Sequence, residues 1–196
     1  GKLTKVIKFC MILLYRMDSS ILNYIQYVTP RSWDWFFSWF SLIGNFELIT
    51  FLVILFLWLY YKNIYKTTLA FFGYGLGLLI ELGLKNFLVH LPPPLELNRT
   101  LHIFSVPQIP IEASYSFPSG HAYRATFLVV FSTLYFLRTK NYPCVLVSCL
   151  LLLIMLFSRI SLAEHWPSDV VGGVILALIT AVVSIRFLKL GYKNQN

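Results

Sequence analysis

Charge is scarce in this sequence. Lys, Arg, Asp and Glu make up 12% of its 196 residues, where a soluble domain of this size carries roughly a quarter. Water is thereby excluded as the main solvent of the folded chain. Acidic residues are scarcer still, eight against sixteen Lys and Arg. Cysteine is nearly absent: Cys10, Cys144 and Cys149 have neither metal-ligand nor disulfide-framework spacing, so they read as apolar positions. No linker, low-complexity segment or internal repeat divides the chain. The net charge of +8 does not imply a nucleic-acid partner, because no soluble basic face exists to carry one.

What is abundant is apolar. Hydrophobic residues make up 58%, in stretches that approach or reach the roughly 20 residues needed to cross a hydrocarbon core. The expected fold is all-α, a polytopic membrane helix bundle. Five spans can be drawn, at 46–61, 67–91, 118–137, 143–163 and 167–188, and a proline-rich loop at 92–117 is the longest connection. Lys62, Lys66, Arg138, Lys140, Arg186, Lys189 and Lys193 fall on one side of this arrangement, with no acidic residue beside them. The positive-inside rule makes that side cytoplasmic. The proline-rich loop and the fourth–fifth connection then face outwards, as expected of a multi-pass protein of a bacterial inner membrane. Trp33, Trp35 and Trp39 suit the outer interface, and Trp58, Tyr60 and Tyr61 the inner one.

The first 45 residues are read as interfacial helices ahead of a transmembrane core at 46–196. Residues 5–15 are apolar but few, and Arg16, Asp18, Asn23 and Gln26 interrupt the next stretch. Charges in mid-span are expensive. A sixth, N-terminal span is the alternative, with Lys2, Lys5 and Lys8 inside. Gly1 reads as a remnant of expression engineering.

Ionisable residues inside a membrane protein are functional candidates by default. Here they gather at the outward ends of spans. Lys85 lies near the end of the second, Pro118-Ser119-Gly120-His121 opens the third, Ser158-Arg159 ends the fourth, and His165 then Asp169 open the fifth. Pro118 suits a first helical position and leaves amides free at Ser119 and Gly120. Such a helix start binds phosphate. Lys85 and Arg159 bring positive charge, and arginine can hold phosphate oxygens in a bidentate fork. Asp169, four residues after His165, can orient its imidazole for attack on phosphorus. His121 can protonate the leaving oxygen. His165 and Asp169 alone fall short of the three protein ligands of a catalytic zinc.

The pattern resembles the type 2 phosphatidic acid phosphatase superfamily, which includes glucose-6-phosphatases and vanadium haloperoxidases. Its P-S-G-H motif is matched by Pro118-Ser119-Gly120-His121, and its S-R-x5-H-x3-D motif by Ser158-Arg159, His165 and Asp169. Its K-x6-R-P motif is matched at Lys85 and Pro93, but Pro92 stands in the arginine's place. Arg124, one turn after His121, or Arg99 in the loop is the candidate substitute, the alternative for Arg124 being a structural or headgroup-contacting role. The resemblance implies a phosphohistidine mechanism that needs no metal and no cofactor. Lys85, Ser119, Gly120, Arg159 and, as the substitute cation, Arg124 would bind phosphate, while His165, His121 and Asp169 would be catalytic. The substrate would be a lipid phosphomonoester or pyrophosphate, and membrane lipids the only other partners read here. A lipid phosphotransferase and a non-enzymatic membrane protein are the rival readings.

Blander roles are expected elsewhere. His90 and His102 match no motif and read as interfacial or loop residues. Glu81 reads as a buried partner for a cation such as Lys85, while Glu164 either touches substrate or faces water. Gly73, Gly75, Gly77, Gly172 and Gly173 read as close helix packing.

Overall fold

A computed structural model describes residues 2–101 and 115–193, with side chains described over 13–101 and 115–186. Gly1, His102 and the side chains of Lys2, Lys5, Lys8, Cys10, Lys189 and Lys193 lie outside the described residues. Seven α-helices and two short 3-10 turns account for the regular structure, and no strand occurs among the described residues. The helices are α1 (Lys2–Val28), α2 (Asp34–Ile43), α3 (Phe46–Tyr61), α4 (Ile64–Phe87), α5 (Gly120–Arg138), α6 (Tyr142–Ser161) and α7 (Pro167–Lys193).

Local chemistry sets the helix ends. The Asn63 side chain accepts the Lys66 amide at 3.0 Å and so caps α4. Asn141 does the same for α6 through the Cys144 amide at 3.4 Å. Lys62 closes α3 in the left-handed conformation, with φ 48°. The α3–α4 and α5–α6 turns meet at one end of the bundle, where an Arg138 guanidinium N–H donates to the Tyr60 carbonyl at 3.0 Å. The motif residues lie at the other end.

Helix α5 is central, packed against α3, α6 and α7, while α4 pairs with α7. Val53, Leu57, Tyr74, Tyr123, Phe127, Phe131 and Ala177 form the heart of the buried core. Deep in this core the Tyr123 hydroxyl donates to the Tyr74 carbonyl at 2.6 Å. Small residues allow the close approach. A side chain at Gly77 would run into Tyr123, one at Gly73 into Ser184, and one at Gly172 into Phe117. Gly75 has nothing within 4 Å, so the packing expectation fails there.

The count of five spans is not carried by the helices. Only α4, α6 and residues 167–186 of α7 are long and apolar enough by themselves, among the described residues. Residues 31–43 and α3 qualify as a fourth when taken as one span bent by 56°. Helix α5 lies where a span is expected, but with neighbours on three sides it needs little apolar surface. It can therefore carry His121, Arg124, Thr126 and Ser132.

At the N-terminus, α1 runs unbroken through the polar residues expected to interrupt it. Asp18 is buried and accepts from both the amide (2.9 Å) and the hydroxyl (2.6 Å) of Ser168. The Gln26 amide donates to the carbonyls of Leu97 (2.8 Å) and Ser161 (3.0 Å). Tyr15 packs edge-on against Trp166, and Leu22 joins Ala163 and Trp166 in a small cluster. This half of α1 thus lies across the site ends of α6 and α7.

Candidate active site

The turn between α6 and α7 delivers the first group. After α6 ends, Ala163 adopts φ 53°, a left-handed conformation that costs an L-residue roughly 1–2 kcal/mol. The amides of Glu164 and His165 both donate to the Arg159 carbonyl, at 3.0 and 3.3 Å. The turn therefore brings His165 back to the end of α6 that carries Arg159. Asp169, in the first turn of α7, accepts the Trp166 amide at 2.9 Å, half of a capping box. Its same oxygen, Oδ2, lies 3.5 Å from His165 Nδ1, and the carboxylate has no exposure to solvent. At that length the pair is a close approach rather than a well-formed hydrogen bond.

The start of α5 delivers the second group. Ser119 is fully buried, and its hydroxyl accepts the Ala122 amide at 3.4 Å as an N-cap. Its own amide donates to the Asp169 carbonyl at 3.0 Å. This corrects the expectation of a free amide at Ser119, because the turn before α5 is stitched to α7. Pro118 likewise precedes the cap instead of opening the helix. Gly120 is the first helical residue, where amides have no intrahelical acceptor. A Cβ at Gly120 would run into Glu81 Oε1 and lie 2.9 Å from Arg124 Nη1, so both side chains flank it. Beneath it, a Cβ at Gly173 would run into the Ser119 carbonyl.

The cations converge on this point. Lys85, in the last turn of α4, pairs with Glu81 at 3.0 Å. The Arg124 guanidinium lies 5.7 Å from the centre of the Phe46 ring, and its Nε has no hydrogen-bond partner among the described residues. Arg159 is fully buried, donates to the Ser158 hydroxyl at 3.3 and 3.4 Å, and pairs with Glu164. Glu164 in turn accepts the Thr100 hydroxyl at 2.8 Å, tying the loop between α4 and α5 to the site. His121 lies amid these groups: the charges of Arg159, Arg124 and Lys85, and that of His165 when protonated, all act on it. Its ring rests against Gly44, in the break between α2 and α3, where a side chain would strike it.

One candidate member falls elsewhere. Arg99 pairs with Asp34 at 2.9 Å and donates to the carbonyls of Gln26 (3.2 Å) and Thr29 (3.1 Å). It fastens the loop to the N-terminal helices, and its hydrogen-bonding capacity is used there. Pro92 is exposed. Among the described residues no group of three or more His, Cys, Asp and Glu is placed to hold a metal ion.

One histidine was not expected here. Helix α4 ends at Phe87, short of the expected boundary, so of the two readings given for His90, interfacial or loop, it takes the loop. Its Nδ1 lies 2.9 Å from Asp169 Oδ1, closer than His165 comes to the same carboxylate. That hydrogen bond raises the His90 pKa, against burial, which lowers it; the charges of Asp169 and Asp18 add to the rise. A sequence signal for this exists. A proline disfavours helix at the residue before it, and Pro92-Pro93-Pro94 makes the chain leave the helix early.

With this geometry in place, comparison with known proteins is decisive about lineage. The family model described as the PAP2 superfamily matches residues 66–192. The chain belongs to the PAP2 superfamily. The matched region takes in α4 through most of α7, and with them Lys85, the Ser119–Gly120 turn, His121, Arg159, His165 and Asp169. A solved structure, the first transmembrane PAP2 type phosphatidylglycerolphosphate phosphatase from Bacillus subtilis, aligns with 95% of each chain at a TM-score of 0.68 and 19% identity. That likeness speaks for the fold, which is therefore a membrane PAP2 fold that includes the helices preceding the family match. Among curated proteins, none matches the chain.

Proposed function

We propose that this chain is an integral membrane lipid phosphatase that passes the phosphoryl group of a lipid phosphomonoester or pyrophosphate to His165 and then to water. The observation that carries the reading is one constellation. A histidine beside a fully buried carboxylate shares one end of the bundle with three cations and a second imidazole. Asp169 orients His165 through Nδ1, leaving Nε2 to attack phosphorus. The bond from phosphorus to the lipid or phosphate leaving oxygen breaks, and that oxygen takes a proton from His121. Water, deprotonated by His121, then releases inorganic phosphate from His165. Lys85, Arg124, Arg159 and the first-turn amides of α5 hold the equatorial oxygens as charge develops.

The proposed topology sets the site outwards. Lys62, Lys66, Arg138 and Lys140 occupy the opposite end of the bundle, which the positive-inside rule assigns to the cytoplasm. We read residues 1–45 as the interfacial part, supported by the way α1 lies across the ends of α6 and α7.

Metal independence is part of the proposal, since the side chains supply the positive charge. Phosphate release from a panel of phosphorylated lipids in detergent should survive EDTA and fall with vanadate, which adopts the trigonal-bipyramidal geometry of phosphorus in transfer. Activity lost on chelation and restored by Mg²⁺ or Zn²⁺ contradicts the proposal.

Substrate must also displace resident carboxylates. Arg159 holds Glu164 and Lys85 holds Glu81, and phosphate oxygens take their places. Glu164→Gln keeps the shape and removes the like charge, which is worth about 1 kcal/mol at a partly solvated position. KM should therefore fall about fivefold with little change in kcat. Initial rates against lipid concentration check this, and an unchanged or raised KM contradicts the displacement.

A further inference from the structure

Asp169 serves more than one imidazole. Its Oδ2 receives the Trp166 amide at 2.9 Å and faces His165 Nδ1 at 3.5 Å. Its Oδ1 meets His90 Nδ1 at 2.9 Å. His90 is held to this task from its own backbone. The Ser116 amide and hydroxyl both donate to the His90 carbonyl, at 2.8 and 3.2 Å, and the same hydroxyl lies 3.3 Å from Nδ1. The ring meets Phe117 edge-on, with centroids 6.3 Å apart. The stretch that lacks the family's arginine thus supplies an imidazole, directed at the carboxylate.

We infer that His90 is a positioning residue for the reaction: it shares Asp169 with His165 and fixes the carboxylate that orients the nucleophile. The inference rests on the phosphohistidine reading above. With Oδ1 held by His90, Oδ2 stays turned towards His165. Without that hold, the carboxylate is free to rotate about its terminal torsion towards the Trp166 amide alone. The sharing is also electrostatic. A protonated His90 offsets the Asp169 charge and weakens its pull on the His165 Nδ1 proton; a neutral His90 restores that pull. The charged groups that face His90 are Asp169 from α7 and Asp18 from α1, and His165 acts on the same Asp169 carboxylate. Its raised pKa moves this titration upwards from about 6.5.

The bland alternative is a pin joining the α4–α5 loop to α7. A pin affects how much protein is folded, not the shape of a pH profile. The experiment is therefore kcat and kcat/KM for lipid phosphate release by the full chain in detergent, measured across pH for wild type, His90→Ala and His90→Asn. His165→Ala is run beside them. His90→Ala should lose about tenfold in kcat with KM within about twofold, the size seen when a residue supporting an active group is removed. The acid limb of its kcat/KM profile should move to higher pH by about half a unit or more, since His165 then has the carboxylate to itself. His90→Asn returns a neutral donor near the place of Nδ1 and should recover most of kcat while the profile stays displaced. It also carries the test if the alanine variant does not fold. An unmoved profile in either folded variant overturns the inference, whether or not kcat falls. Wild type without phosphate release overturns the phosphatase reading and this inference with it. An active wild type, a dead His165→Ala and an unmoved His90 profile overturn this inference alone.

Discussion

His165→Ala is expected to leave a folded protein with less than a few per cent of wild-type phosphate release. The proposed reaction divides transfer into two steps through a bond to this imidazole, and no neighbour replaces it. His121 lies in the same site but has no carboxylate partner among the described contacts, while Asp169 lies within 3.5 Å of His165. Losing a nucleophile of this kind lowers kcat by on the order of a millionfold where the remaining groups act only with it. Folding should survive, since His165 is held mainly through its backbone amide to the Arg159 carbonyl at 3.3 Å. Asp169→Asn should also be severe, by on the order of ten-thousandfold in the extreme case of a wrongly oriented imidazole. Rates from purified variants of matched thermal stability decide the matter. Retained release above a few per cent in His165→Ala removes it as nucleophile.

Arg124→Ala is expected to lower kcat/KM by on the order of a hundredfold, the range for one transition-state donor. Pro92 offers neither a charge nor an amide in the arginine's place, and Arg99 is occupied by Asp34, Gln26 and Thr29. Arg124 remains. Its Nη1 lies against Gly120, and its charge acts on both His121 and Arg159. Arg124→Lys should recover part of the loss, because charge survives where the planar fork does not. The competing account gives Arg124 only its contact with the Phe46 ring. On that account Arg124→Ala loses stability and keeps its kinetics. Near-wild-type kcat/KM in folded Arg124→Ala decides for it.

The parts of this site legible in the sequence are those set by spacing along one helix or turn. His165 and Asp169 stand four residues apart across the start of one helix, and Ser119-Gly120-His121 begins another, so each of the two local groups follows from its spacing. What spacing cannot show is a partner supplied from far away in the chain. Asp18 reads as an interruption of a helix until Ser168, 150 positions on, uses it as a cap. His90 reads as an interfacial or loop residue until Asp169, 79 positions on, appears beside it. The free amide expected at Ser119 is taken by the Asp169 carbonyl for the same reason. The five-span count fails at α5, drawn as a span, because a helix enclosed by three others carries polarity that a lipid-facing one cannot. Even Glu164, undecided between substrate and solvent by position alone, takes its meaning from Arg159 and Thr100.

The central claim is a covalent phosphoryl group on His165, and rapid quenching tests it most directly. Wild-type protein is mixed with lipid carrying a radiolabelled phosphate, quenched in alkali within one turnover, digested and mapped by mass spectrometry. The account predicts an alkali-stable, acid-labile phosphoryl group on His165, formed and consumed at rates compatible with kcat and absent from His165→Ala. A label on any other residue, or full turnover with no trapped label at quench times shorter than one cycle, contradicts it.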